Sequence, residues 1–104
     1  MEKVLMDTFV VPEKSKAAFR EAARQAQSFV RTLPGFVEGF FYEKKDGESH
    51  YNFVTTVVWK DDEAFENAQK AVAAEFQRQG FNPQQTAKTL GVEKVRSTYE
   101  RSPY

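Results

Sequence analysis

The stretch LPGFVEGFFYEKKDGESHYNFVTTVVWKDDEAFENA, residues 33–68, decides the fold. Pro34-Gly35 predicts a turn, which leads into a strand from Phe36 to Lys44 and, later, a second strand from His50 to Trp59. Between the strands lies Asp46-Gly47, a pair typical of tight hairpin turns, in which both central residues need a positive φ. An amphipathic helix follows the second strand. The stretch therefore predicts an antiparallel hairpin that leads into a helix.

The remaining elements follow from hydrophobic periodicity. Runs of β-branched and aromatic residues indicate strands, and apolar residues at three- and four-residue steps indicate helices. In chain order these are a strand at Lys3–Val11, a helix at Glu13–Leu33, a helix from Asp61 or Asp62 to about Gly80, a short helix at Asn82–Leu90 and a strand at Val92–Glu100. We expect a single domain over residues 1–104.

The order β-α-β-β-α-α-β predicts a ferredoxin-like α+β fold, because right-handed crossovers place both main helices on one face of an antiparallel sheet. The first three strands are nevertheless largely apolar on both faces. In the first strand, Val4, Met6 and Val10 occupy one face, and Leu5 and Phe9 occupy the other. Since helices cover only one face, the other needs a partner. We expect a homodimer that packs sheet against sheet.

Charge and composition exclude several classes of function. Fifteen basic and fifteen acidic residues alternate along the chain, so no basic patch for nucleic acid or an anionic membrane is expected. The absence of cysteine excludes disulfides, a thiol nucleophile and a thiolate metal site. No signal-peptide pattern or membrane-length apolar run is present, which favours a cytoplasmic location.

Metal and phosphate chemistry also lack their usual sequence patterns. The single histidine, His50, cannot supply a facial triad, and the chain has no glycine-rich phosphate loop. His50 lies beside the hairpin turn, where we expect a solvated side chain. No cofactor is therefore expected.

Asp7 is the unusual residue of the first strand, because it shares a face with Leu5, Phe9 and Val11. A carboxylate among apolar groups must form an ion pair, accept hydrogen bonds or keep its proton. Inside a cavity, a raised pKa would suit Asp7 to accept a phenolic proton. The alternative is that Asp7 reaches solvent or forms an ion pair with Arg96 of the last strand.

Other side chains have a structural and a functional interpretation each. Trp59 either clamps the sheet to the second helix or lines a ligand pocket. Arg96 could stabilise a developing enolate or phenolate. The further candidates for binding a substrate are Tyr42, Tyr51, Phe53 and Tyr99. Asn52 alternates away from Trp59, and we expect it in the dimer interface.

The run LPGF, the strand pair closing in VVWKDDEAF and the strand ending followed by PEKSKAAF resemble the antibiotic biosynthesis monooxygenase superfamily of dimeric α+β barrels. This resemblance implies a ligand cavity between the sheet and the helices of each subunit. Some members of the family oxidise phenols, anthrones or quinols with molecular oxygen and no metal or flavin, and others degrade haem.

The haem-degrading branch carries an asparagine on strand one, a tryptophan on strand three and a histidine on the second helix. Trp59 matches the tryptophan, but Asp7 replaces the asparagine, and residues 62–80 contain no histidine. Haem degradation is therefore not expected.

The sequence thus predicts a cofactor-independent, monooxygenase-like enzyme for a small hydrophobic aromatic or quinol-type compound. In this interpretation Asp7 and Arg96 are the catalytic residues. Two alternatives stay open: a non-catalytic homodimer that binds a small ligand or is purely structural, and an isomerase or lyase in which Asp7 moves a proton without oxygen.

Overall fold

A computed structural model describes residues 1–103 as a four-stranded antiparallel sheet with helices on one face. The elements are β1 (Lys3–Val10), a 3₁₀ turn (Glu13–Ser15), α1 (Lys16–Val30), β2 (Phe36–Glu43), β3 (Phe53–Trp59), α2 (Asp62–Gln79), α3 (Pro83–Leu90) and β4 (Glu93–Glu100). The strand order is β2-β3-β1-β4. This is the predicted ferredoxin-like α+β fold.

The helices begin and end at residues whose chemistry marks a helix boundary. The Asp61 carboxylate accepts a hydrogen bond from the Ala64 amide at 2.8 Å, which caps α2. Gly80 ends the same helix with φ 68°, a conformation that glycine adopts without steric cost. Asn82 caps α3 in the same way, through the amide of Gln85 at 3.0 Å.

The hairpin differs from the prediction, because β3 begins at Phe53 and not at His50. A longer loop joins β2 to β3, and the Lys44 amide donates to the Asn52 carbonyl at its base, at 2.8 Å. In this loop Gly47 has φ 111°, whereas Asp46 does not have a positive φ. The loop therefore spans residues 44–52 and not the predicted 45–49, and the expectation of a positive φ at both Asp46 and Gly47 was wrong.

Asn52 explains why β3 starts late. Its side chain accepts a hydrogen bond from the Val11 amide at 2.9 Å and donates to the Val11 carbonyl at 2.8 Å. Its backbone amide donates to the Phe9 carbonyl at 2.9 Å. These bonds hold Asn52 at the end of β1, and its place in a dimer interface stays a prediction.

The core lies between the sheet and the helices and consists of two clusters. The buried members of the first are Val57, Trp59, Ala64 and Ala68, and those of the second are Val11, Phe19 and Phe53. Gly35, with φ 83°, allows the start of α2 to approach, because a Cβ at this position would lie 2.4 Å from the Ala64 Cβ. The turn before β2 therefore requires glycine.

The opposite face of the sheet carries no helix within residues 1–103. Large side chains are about half exposed on it, namely Phe40, Tyr42, Val95 and Tyr99. The molecule measures 38 × 38 × 18 Å and exposes 7212 Å². A typical monomer of 12.0 kDa exposes about 6,000 Å². The chain therefore has an unusually large surface for its mass, and much of the apolar part lies on this open sheet face.

Candidate active site on the helix side of β1 and β4

Asp7 and Arg96 form an ion pair between two neighbouring strands. They are direct partners in the register of β1 and β4, so their side chains leave the sheet on the same side. Arg96 donates from Nε to Asp7 Oδ1 at 2.8 Å and from Nη2 to Oδ2 at 3.0 Å. Asp7 is only 7% exposed. A carboxylate this buried needs such a partner, and the bidentate geometry supplies it.

The pair lies on the helix side of the sheet. Asp7 is also the register partner of Thr55 in β3, whose neighbours Phe53 and Val57 on the same face belong to the two core clusters. Arg96 shares this side with Lys94 and Thr98, because alternate residues of a strand face the same way.

We call this surface the β1–β4 shelf. It consists of Leu5, Asp7, Phe9, Lys94, Arg96 and Thr98, which form three adjacent pairs in the register of the two strands. The residues of β4 are exposed along the whole strand, whereas Leu5 and Asp7 are buried. The helices therefore leave the outer half of the shelf open, and a small molecule can approach the ion pair from there.

Lys94 adds a second positive charge to the shelf. Its Nζ lies 4.0 Å from Asp7 Oδ2, which is an ion-pair distance but longer than a hydrogen bond. Partial burial lowers the pKa of Lys94, the charge of Arg96 lowers it further, and Asp7 opposes both effects. The shelf thus carries two cations and one carboxylate, and its net charge is positive.

The other predicted site residues are distributed over the molecule. Phe53 is fully buried and contacts Phe19, with ring centroids 4.9 Å apart. Trp59 is 2% exposed and packs edge-on against Phe36 at 5.9 Å. Both lie on the helix side with Asp7, but they belong to separate core clusters. Their packing matches the structural interpretation of each residue.

The tyrosines lie away from the ion pair. Tyr42 and Tyr99 are 52% exposed on the open face, on the other side of the sheet from Asp7. Tyr51 lies in the hairpin loop beside His50, with ring centroids 5.6 Å apart. Of the predicted residues, the structure therefore brings only Asp7 and Arg96 into contact with each other.

Lys94 is the residue that sequence reasoning left without a role. The alternation of VEKVRSTYE already placed it on the same strand face as Arg96. Its closeness to Asp7 depends on the pairing of β4 with β1, which joins residues almost ninety positions apart.

Two open clefts lie at the end of the sheet where β1 begins and β4 ends. One, of about 320 Å³, is lined by Met1, Glu2, Asp61, Asp62, Glu63 and Glu100. The other, of about 190 Å³, is lined by Lys3, Asp62, Thr98, Tyr99 and Glu100. Neither is lined by residues of the two core clusters, so neither is the cavity between sheet and helices that the family resemblance implies, although the smaller cleft meets the shelf at Thr98.

Within residues 1–103, no group of three or more His, Cys, Asp or Glu side chains is arranged to hold a metal ion. No helix in this range combines the length and apolar character needed to cross a bilayer.

The fold and the ion pair on its helix side define a small ferredoxin-like α+β domain with a bidentate ion pair between two neighbouring strands. Residues 4–78 match the family model described as antibiotic biosynthesis monooxygenase, and the chain belongs to this family. No curated protein matches the sequence.

Solved structures resemble the whole fold at low sequence identity. SnoaB, a cofactor-independent oxygenase from Streptomyces nogalater, is 23% identical with a TM-score of 0.71, over 99% of this chain and 95% of that chain. A conserved protein of unknown function from Bacteroides thetaiotaomicron is 18% identical with a TM-score of 0.73, over 96% and 97%. A heme-degrading protein from Mycobacterium tuberculosis is 22% identical with a TM-score of 0.59, over 66% and 78%. At these identities the likeness concerns the fold.

Proposed function

We propose that the protein is a monooxygenase that acts on a small hydrophobic aromatic or quinol-type compound without a bound metal or flavin. The observation that carries this proposal is the ion pair of the buried Asp7 with the partly exposed Arg96, on the helix side of a family member's sheet. It is a polar group of defined geometry between the apolar Leu5 and Phe9 of β1, and it is open on the β4 side. SnoaB is described as a cofactor-independent oxygenase, which agrees with this class of reaction.

In this proposal Asp7 accepts a proton from the substrate hydroxyl. A carboxylate offers about four lone-pair sites, and Arg96 uses one on each oxygen. Each oxygen therefore keeps a lone pair for a phenolic O–H. Arg96 then stabilises the negative charge that develops on the substrate oxygen.

The substrate itself supplies the electrons that reduce O₂, so the reaction needs no other reductant. For 1,4-dihydroxynaphthalene and O₂, the products are 2-hydroxy-1,4-naphthoquinone and water. One oxygen atom forms the new C–O bond and the other leaves in water. All four electrons that reduce O₂ come from the ring carbons. Deprotonation by Asp7 makes the ring more electron-rich, which favours its reaction with oxygen.

A homodimer through the open sheet face belongs to the same proposal. The surface exceeds that of a typical monomer by about 1,200 Å², and a standard interface buries about 800 Å² on each partner. The half-exposed Phe40, Tyr42, Val95 and Tyr99 give this face the apolar character of an interface core. Tyr42 and Tyr99 would then serve the dimer. A stable monomer at micromolar concentration, measured by sedimentation, would contradict this part.

The test of the enzymatic proposal is the product formed from 1,4-dihydroxynaphthalene under ¹⁸O₂. We expect the hydroxylated quinone with one labelled oxygen and no hydrogen peroxide. Spontaneous oxidation instead gives 1,4-naphthoquinone and hydrogen peroxide, so the two routes are separable. General base catalysis contributes about 10²–10⁴-fold, so Asp7→Asn should lower the rate by about 10²-fold or more.

Asp46→Asn is the matched control, because it makes the same chemical change on an exposed loop residue. Its rate should equal that of the unmodified protein. Unlabelled quinone with a stoichiometric yield of peroxide, or an Asp7→Asn variant at full rate, would contradict the proposal.

A non-catalytic homodimer, either structural or binding a small ligand, is the second candidate. The structural version is favoured by the filled core, in which Phe53 and Trp59 are almost fully buried. The ligand-binding version has its own test. In that case aromatic compounds should raise the melting temperature without any oxygen uptake, since a ligand at about 100 times its Kd adds about 2.7 kcal/mol.

A further inference from the structure

We propose that Lys94 and Arg96 together bind an anionic group of an aromatic ligand on the β1–β4 shelf, a carboxylate or an ionised phenol. This names the substrate class of the site described above and so rests on the proposed function. It assigns to Lys94 a role in ligand binding.

The register of β1 and β4 places both cations on one face. Lys94 is the partner of Phe9, and Arg96 is the partner of Asp7. Side chains two residues apart on a strand lie about 7 Å from each other, a distance that one carboxylate can bridge. Both side chains are partly accessible, at 42% for Lys94 and 40% for Arg96.

Each cation has donors that the protein does not use. Arg96 contacts Asp7 through Nε and Nη2, and its Nη1 has no hydrogen-bond acceptor within residues 1–103. Over the same range, the carboxylate within ion-pair distance of Lys94 is Asp7, at 4.0 Å and beyond hydrogen-bond reach. Arg96 Nη1 and Lys94 Nζ are therefore N–H donors on the same face of the sheet that have no acceptor at hydrogen-bond distance within residues 1–103.

The charge balance of the shelf favours an anion. Several other basic side chains have a carboxylate at short distance, as in Arg20 with Glu43 at 2.8 Å and Arg78 with Glu75 at 2.8 Å. On the shelf, two cations share one carboxylate. Glu93, the sequence neighbour of Lys94, faces the other side of the sheet and lies 3.8 Å from His50.

Partial burial of Lys94 strengthens the preference of the shelf for an anion. Lys94 loses hydration and is repelled by the charge of Arg96, and both effects lower the pKa of Lys94. An anion bound between the two cations offsets both. Charge-assisted hydrogen bonds at such a half-buried position are shorter and stronger than neutral ones.

The ligand is expected to be aromatic because apolar side chains adjoin the cations. Phe9 lies directly across from Lys94, and Leu5 lies on the same face beyond Asp7. Leu5 is buried and Phe9 is only partly buried, so a planar acid can place its ring against Phe9 and its charge between Lys94 and Arg96. The hydroxylated quinone named above is a vinylogous acid and has this character.

The experiment compares 2-naphthoate with 2-naphthamide, which has nearly the same shape and no charge. Titration calorimetry on the full chain at low salt should show naphthoate binding about 10- to 100-fold more tightly. Lys94→Gln should reduce that ratio to about threefold or less. Lys70→Gln, which alters an exposed lysine of α2, should leave the ratio unchanged.

Three outcomes would overturn the proposal: equal affinity for the two compounds, no heat of binding for naphthoate up to several millimolar, or a preference that survives in Lys94→Gln. Sodium chloride at 0.5 M should weaken the preference, because it screens partly exposed charges. The melting temperature of Lys94→Gln should stay near that of the unmodified protein. A charge preference without any oxygen uptake supports the anion site and contradicts only the oxygenase proposal.

Discussion

The Asp7–Arg96 pair predicts an asymmetry between its two single variants. Arg96→Met leaves the Asp7 carboxylate, 7% exposed, without its guanidinium partner. Asp7→Asn leaves the Arg96 side chain, which is 40% exposed and can be hydrated. Arg96→Met should therefore lower the free energy of unfolding more than Asp7→Asn, because the unpaired charge that it leaves is the more buried one.

The expected loss of unfolding free energy follows from the exposed fractions of Asp7 and Arg96. Removing one partner of a fully buried ion pair costs about 3–5 kcal/mol. Here water screens the guanidinium, so we expect about 2 kcal/mol for Arg96→Met and about 1 kcal/mol for Asp7→Asn. The double variant should cost less than the sum of the two, because it leaves neither charge without a partner.

Urea denaturation at pH 7 and a fixed protein concentration measures these differences. The fixed concentration matters because assembly of a dimer would add to the free energy of unfolding. An Asp7→Asn variant that loses as much stability as Arg96→Met, or additive losses in the double variant, would refute the reasoning.

Three further predictions concern the fold. Gly35→Ala should cost about 3 kcal/mol, since it adds a clash with α2 to the strain of a positive φ. Gly47→Ala should cost about 1 kcal/mol in the same urea assay, because the added Cβ would have no atom within 4 Å. Asn52→Ala should lose about 1–3 kcal/mol and speed amide exchange at Val11, because both bonds to that residue disappear. Hydrogen bonds lower the pKa of Glu75 to about 2. The stability that Glu75 contributes is therefore present above about pH 4.5 and is lost as the pH falls towards 2. Glu75→Gln should flatten this part of an acid titration followed by circular dichroism.

The helices and their order were predictable because their signals are local. Asp61, Gly80 and Asn82 act on amides or backbone conformation within a few residues of themselves. The β-α-β-β-α-α-β order then leaves few topologies, and the ferredoxin-like fold followed.

The hairpin was predicted less well because a distant contact changes it. Asn52 bonds to Val11, which is 41 residues away in the chain. No local pattern around Asp46-Gly47 carries that information, so a turn at residues 45–49 was predicted, whereas the chain forms a longer loop over residues 44–52.

The ion pair of the candidate site was among the predictions, because the alternative interpretation of Asp7 named Arg96 as its partner. The structure shows this pair between residues 89 positions apart, in place of Asp7 in a cavity. In β2, the register shifts between Phe36 and Glu38. This irregularity places Phe36 and Tyr42, which simple alternation would put on one face, on opposite faces. In β4, alternation alone separates Tyr99 from Arg96.

The most direct test of the proposed substrate site is a crystal structure of the protein with 2-hydroxy-1,4-naphthoquinone bound. We expect a ligand oxygen within hydrogen-bond distance of Asp7 or Arg96, the ring over Phe9 and a second copy on the open sheet face. A ligand bound instead in the acidic cleft at Glu2 and Glu100, with the shelf empty, would contradict it.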